Sequence, residues 1–262
     1  KNYKLNYIIL FNILLIGESM KSQVWAHRGS SAYAPENTLS AFELAVKQKS
    51  DGVELDVQLS KDGELVVVHD EKIDRVSNGT GFVKDYNLNE LKKFNFNRLF
   101  PQYGFVPIAT LEEVYELLKP TDLTINVELK TGIIFYEGIE EKLIKLTHKM
   151  NIEDRVIYSS FNHYSLLNLR ELKYDVKIGL LFADIFVDVP EYAIKIGADA
   201  LHPAGYILKL PGFIEESKEK NLSLHVWTVD DECEIRRLAE YGIDAIITNK
   251  PDTARKVIDI LK

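Results

Sequence analysis

One cysteine, Cys233, is present in the whole chain, so no disulfide can close within it. Its segment, residues 231–241, reads as a surface helix, where a structural cysteine is expected rather than a nucleophile. Positive charge is also scarce. Lys and Arg number 32 against 40 Asp and Glu, the formal net charge is -8, and no basic tract occurs. That balance excludes a nucleic-acid binder, because neutralising a phosphate backbone needs clustered Lys and Arg. A chain of this kind that handles phosphate needs local positive charge, from a metal or a few placed cations. Long apolar runs are missing too. The run over residues 5–16 is broken by Asn6, Tyr7 and Asn12 and is too short to span a bilayer comfortably, so no stable membrane span is expected. There are no repeats, linkers or low-complexity tracts, and nothing in the sequence fixes an oligomeric state.

The start of the chain allows two readings. Lys1 and Lys4, the short apolar run, and the small residues Gly17 and Ser19 fit a secretory signal peptide. Alternatively Met20 is the true start, and residues 1–19 are translated upstream sequence whose Gly-Glu-Ser codons can spell a ribosome-binding site. The first candidate strand begins four residues after Met20, which leaves little room for a mature leader and favours the second reading. The expectation is therefore a cytoplasmic protein, secreted if the leader is genuine, with residues 1–19 outside the fold and residues 20–262 forming one domain.

What is present is an alternation of β-rich and amphipathic segments. Strands are predicted at 24–26, 52–59, 65–69, 123–129, 156–160, 177–182, 200–202, 223–229 and 245–248. Helices are predicted at 36–48, 111–118, 136–150, 163–172, 190–196, 211–220, 231–241 and 252–261. This pattern reads as βαβ units around a parallel sheet. Only five residues, Ser60 to Glu64, separate the second and third strands, too few for a parallel crossover, and Asp62-Gly63 is a hairpin signal. The third strand is therefore an antiparallel return that brings His69 beside Leu55 or Asp56. The remaining eight form a TIM (β/α)8 barrel, and residues 71–107, weakly periodic, read as a small insertion over the active-site face.

A TIM barrel carries its chemistry at the C-terminal strand ends. Side chains alternate along a strand, so Glu54 and Asp56 share a face, as do Glu128 and Lys130. With Leu55, Val57 and Leu129 suited to the helix side, Glu54, Asp56 and Glu128 point into the mouth. Three carboxylates repel one another unless a cation or protons offset them, and an all-oxygen set suits one divalent ion, Mg²⁺ or Ca²⁺. No cysteine or histidine cluster argues for zinc. His27 and His69 end apolar strands at the same mouth and suit proton transfer near neutral pH. Arg28 can hold phosphate oxygens with paired donors, and Lys130 adds a point charge. His225 reads as a core histidine, and His163 and His148 as cap and helix-surface residues. Asp70 is expected to hydrogen-bond near His69.

In order along the chain stand His27-Arg28-Gly29, Pro35-Glu36-Asn37-Thr38, Glu54-Leu55-Asp56-Val57, Asp62-Gly63, Val68-His69-Asp70, Asn126-Val127-Glu128-Leu129-Lys130, Val226-Trp227-Thr228-Val229 and Ile247-Thr248-Asn249-Lys250-Pro251. Together they resemble the glycerophosphodiester phosphodiesterase family, over roughly Val24 to Pro251. The resemblance implies a Ca²⁺- or Mg²⁺-dependent hydrolase whose small-molecule partner is a glycerophosphodiester, split into sn-glycerol 3-phosphate and an alcohol. It implies Glu54, Asp56 and Glu128 as metal ligands, His27 and His69 as the acid/base pair, and Arg28 and Lys130 as phosphate binders. It further implies that Glu36 and Asn37 order the first loop of the site and that Trp227 lines a glycerol pocket. The expected route passes through a cyclic phosphate. A related alternative is a phospholipase-like phosphodiesterase acting on lysophospholipids or phosphoinositides, which would need an apolar rim. In the insertion, Phe94, Phe96, Phe100, Tyr103 and Phe105 could supply one, or could form the insertion's own small core.

Overall fold

The computed structural model describes residues 22–261. The alternative readings of residues 1–19 and Met20 lie outside these. Ten strands are described: β1 Gln23–His27, β2 Gly52–Leu59, β3 Leu65–Val67, β4 Ala109–Thr110, β5 Thr124–Leu129, β6 Val156–Ser160, β7 Lys177–Phe182, β8 Ala200–Pro203, β9 Ser223–Val226 and β10 Ala245–Thr248. Eight of them, all except β3 and β4, pair in parallel in the order β1-β10-β9-β8-β7-β6-β5-β2, and β2 pairs back onto β1 to close the ring. The fold is the TIM barrel that the alternating pattern predicts. Every residue of β2 is buried, as a parallel strand with helices on one side and a filled barrel on the other must be.

The helices are α1 Leu39–Lys47, α2 Leu88–Leu91, α3 Leu111–Leu118, α4 Ile139–Met150, α5 His163–Leu172, α6 Val189–Lys195, α7 Phe213–Glu219, α8 Glu232–Glu240 and α9 Pro251–Ile260. Their termini follow local chemistry. Thr110 and Glu113 form a capping box that opens α3, and Asp231 accepts from the Glu234 amide to open α8. α1 starts three residues later than its periodicity suggests, because Asn37 is left-handed at φ 57° and Thr38 is the N-cap. Pro35, Glu36 and Asn37 are thereby freed for the mouth. Leu55, Val57 and Leu129 enter the core between barrel and helices, which leaves their neighbours for the interior.

β3 runs antiparallel to β2, with Val57 opposite Val67, and the register continues through the Val68 amide to the Asp56 carbonyl at 3.0 Å. His69 therefore lies beside the Leu55–Asp56 stretch. The strand stops at Val67 rather than 69 because Gln58 takes over: its Nε2 donates to the carbonyls of Val68, His69 and Asp70. The two-residue β4, too short for any periodicity, adds to β3. Residues 71–107 build a satellite core of their own from Ile73, Val76, Val83, Leu91 and Phe96, with Phe94 packed against it. Its aromatics divide: Phe94 and Phe96 face inward, while Tyr103 and Phe105 are exposed.

Below the mouth, His225 is the core histidine its position suggests. Its Nδ1 lies 2.8 Å from Nε2 of His202, and its ring centroid is 4.4 Å from that of Trp25. Gly179 is required here, since a Cβ would sit 2.2 Å from His202 Nε2. Cys233 is exposed on α8. Among the described residues, no helix is long and apolar enough to cross a membrane.

Candidate active site

The alternation in β2 and β5 brings three carboxylates together: one oxygen each of Glu54, Asp56 and Glu128 lies within 4.8 Å of the others, all three residues being buried. Asp56 and Glu128 are register partners across β2 and β5, and His27 pairs with Glu54 across β1 and β2. Burial and then the neighbouring acids Asp56 and Glu128 raise the pKa of Glu54 well above the carboxylate range. Burial likewise raises Glu128, partly offset by Lys130. Asp56 goes the other way: burial opposes its charge, but Arg28, Lys130 and a hydrogen bond from Asn37 outweigh burial and lower its pKa. Its Oδ1 is buried without a hydrogen-bond partner. An all-oxygen cluster with crowded charge and an orphaned acceptor fits a hard divalent ion.

The cations stand where the sequence puts them. Arg28, left-handed at φ 58°, donates its backbone N–H to Glu54 Oε2 at 2.9 Å, and its Nε is 3.3 Å from Asp56 Oδ2. Its Nη1 reaches Glu36 Oε1 at 3.0 Å. Lys130 Nζ donates to Glu128 Oε1 at 2.8 Å and lies 3.7 Å from Asp56 Oδ1. Asn37 Nδ2 donates to Asp56 Oδ2 at 2.8 Å. Trp227 lies just beyond the end of β9, half-buried, with Nε1 donating to the His202 carbonyl at 2.8 Å and its ring edge-on to Phe161. It lines a cavity with Tyr206 and Asp230, and none of the three clustered carboxylates lines that cavity.

Each candidate histidine has a partner on Nδ1. His27 Nδ1 lies 2.7 Å from Asn249 Oδ1. Asn249 is oriented by Asp230, which accepts both its side-chain Nδ2 at 2.6 Å and its backbone N–H at 2.8 Å. The amide oxygen must then face the ring, so His27 donates from Nδ1 and keeps a lone pair on Nε2, which lies 4.0 Å from Glu54 Oε2. Burial, then Arg28, lowers the His27 pKa to about 4, so the ring is neutral near pH 7. His69 Nδ1 lies 2.6 Å from Asp70 Oδ1, the contact expected of this pair.

Four participants are given no role by the sequence. Arg75 grips Glu36 with both terminal nitrogens at 2.7 Å and Asp70 through Nε at 2.6 Å. It thereby joins Arg28–Glu36 on one wall to Asp70–His69 on the other. Gln58 holds the backbone under His69 and accepts from Tyr136 Oη at 2.8 Å. Asn249 and Asp230 hold His27. Gln58 continues the 54/56 alternation, and Asn249 lies just past a strand end, so both had a signal; Arg75 and Asp230 had none.

A model of the glycerophosphoryl diester phosphodiesterase family matches residues 27–253. A glycerophosphodiester phosphodiesterase of Caldanaerobacter subterraneus subsp. tengcongensis is 46% identical over 235 residues, covering 89% of this chain and 96% of the relative. Another from Bacillus altitudinis is 38% identical over 247 residues, covering 92% and 100%. Among solved structures, an Oleispira antarctica phosphodiesterase in complex with the product sn-glycerol-3-phosphate aligns with a TM-score of 0.82 at 29% identity, covering 92% of this chain and 98% of that one.

Proposed function

Since the chain belongs to the glycerophosphoryl diester phosphodiesterase family, we propose that it hydrolyses glycerophosphodiesters to sn-glycerol 3-phosphate and an alcohol by metal-assisted two-histidine catalysis. The observation that carries this reading is the set of three buried carboxylates within 4.8 Å of one another, flanked by two histidines that are each fixed through Nδ1. We assign the reaction to one domain, residues 20–262. Glu54, Asp56 and Glu128 would hold Ca²⁺ or Mg²⁺, which when bound lowers the pKa of a nearby hydroxyl and offsets phosphate charge.

The residues supply the rest. Arg28 and Lys130 draw the phosphate to the mouth, and Asn37 and Glu36 keep Asp56 and Arg28 in place. His27, neutral with its lone pair on Nε2, is the starting base and takes a proton from a glycerol hydroxyl whose oxygen attacks phosphorus. His69, with Asp70 available to offset an imidazolium charge, gives its Nε2 proton to the leaving alcohol. Water then opens the resulting cyclic phosphate with the two roles exchanged. Trp227 walls the glycerol side.

The test is turnover of glycerophosphocholine, with glycerol 3-phosphate detected, in chelator and after Ca²⁺ or Mg²⁺ is restored. Metal-dependent release is the expected result. No release with either ion sinks the substrate assignment, and a lysophospholipid analogue run in parallel shows whether an acyl-bearing diester is preferred.

A further inference from the structure

The mouth has two unlike halves. Around β1, β2 and β3 it is predominantly polar, lined by the ion-paired Arg28, Glu36, Asp70 and Arg75, with Tyr33 and Tyr103 at its edge. Beyond β5, β6 and β7 it is apolar. Ile133 and Phe135 follow β5, Tyr164 follows β6, and Ile185, Phe186 and Val187 follow β7, each between 56% and 88% exposed. These strands are neighbours in the sheet, so their loops share one arc of the rim. Adjacent loops meet along it: Phe135 and Tyr164 line one cavity, and Tyr206 after β8 donates to the Ala183 carbonyl at the start of the β7 loop. It reaches the mouth itself where Phe161 packs edge-on against Trp227, with ring centroids 5.6 Å apart. Loops are normally polar, and a contiguous apolar patch on one face marks an interaction surface.

We propose that this arc seats on a zwitterionic lipid surface, with the polar half of the mouth left open to water. Charge selects the class of surface. The loops 131–138, 161–164 and 183–188 hold Glu137, Asp184 and Asp188 and no Lys or Arg, and the whole chain carries -8. The polybasic signal that draws proteins to anionic leaflets is absent, so attachment rests on apolar insertion. The choice of lipid over protein rests on the proposed function. A deacylated phospholipid must be supplied by a reaction that removes acyl esters from membrane lipid, and the face that admits the substrate is the face that carries the arc.

The experiment is flotation of the full chain with phosphatidylcholine vesicles, alone and with part of the lipid replaced by phosphatidylserine. Because residues 1–19 hold an apolar run of their own, the control is the F135S/F186S double variant in the same full chain. The wild type is expected to float with phosphatidylcholine and more weakly as phosphatidylserine rises. The double variant should bind about tenfold or more weakly, since two phenyl groups no longer leave water, with its thermal midpoint unchanged. Equal binding by both chains, no flotation, or binding that grows with phosphatidylserine overturns the proposal. So does a sedimenting dimer that the double variant converts to monomer, which would make the arc an interface between copies. Glycerophosphocholine turnover in free solution separates the two readings: flotation without turnover removes the substrate assignment, and turnover without flotation removes the lipid surface alone.

Discussion

Both ends of this barrel are lined with acids, yet the two sets are handled in opposite ways. At the base, Asp51, Asp199 and Asp244 each stand one residue before a strand and accept a backbone N–H of the neighbouring strand, from Val24, Ile178 and Leu224 at 2.8 Å in every case. Arg255 and Arg170 neutralise the first two. Their charge is used up in stitching adjacent strands, and Asp199 and Asp244 line a cavity of about 380 Å³. At the mouth, Glu54, Asp56 and Glu128 face one another, and one oxygen has no hydrogen-bond partner. A satisfied acid stabilises the fold, whereas a crowded one waits for something else to satisfy it.

The largest effects should come from the mouth without touching the base. Replacing His27 or His69 by Ala is expected to lower kcat/KM on glycerophosphocholine by about 10²–10⁴-fold while the unfolding midpoint holds. Near-wild-type turnover in H69A would remove that residue from the mechanism. Next come the residues that hold the histidines. R75A and N249A should each cost roughly 10–100-fold, the usual scale for groups that orient a reactive residue from behind. The loss should sit in kcat rather than KM, because each acts on a histidine: Asn249 on His27 directly and Arg75 on His69 through Asp70. If R75A changed KM alone, the link from Arg75 through Asp70 to His69 would be broken.

A smaller pair of effects reverses sign between the two ends. D244A should destabilise by about 1–3 kcal/mol, because the buried Leu224 amide is left unsatisfied, with activity per folded molecule unchanged. E54Q should do the opposite in chelator: removing one of three crowded charges raises the midpoint, and the midpoint shift on adding Ca²⁺ shrinks or vanishes. Thermal unfolding of both variants, with and without ion, decides it. A fall in both midpoints would mean that the mouth is stitched like the base.

The parts legible in the sequence are those set by local rules. The five-residue link between β2 and β3 forced a hairpin, the eight remaining strands forced the barrel, and alternation in β2 and β5 aimed the three carboxylates inward. What local rules cannot see is pairing at long range. Arg75 lies in a stretch without periodicity and meets Glu36 39 residues away. Asn249 meets His27 across 222 residues, so only closure of the barrel joins them. The late start of α1 was hidden because Glu36 has good helix propensity, and the left-handed Asn37 overrides it. The apolar loops after β5, β6 and β7 read as ordinary hydrophobic residues until the fold places them on one rim.

Between the two ends lies a pair that belongs to stability and should show itself only in acid. His202 and His225 are buried in the barrel against Trp25. Burial lowers the pKa of His225 to about 3, and burial together with His225 lowers that of His202 well below its usual value. Both rings are therefore neutral in the folded chain across the physiological range. In the unfolded chain they take up protons near pH 6.5. The unfolded state then binds more protons than the native state, so stability is fully present above about pH 6.5 and is lost as pH falls toward 3. Between pH 7 and 6 the pair should cost about 1 kcal/mol of unfolding free energy. His225→Gln should remove roughly half of that slope while leaving turnover per folded molecule intact. An unchanged slope in H225Q would place the acid sensitivity at the mouth instead, and the division of labour between the two ends would have to be redrawn.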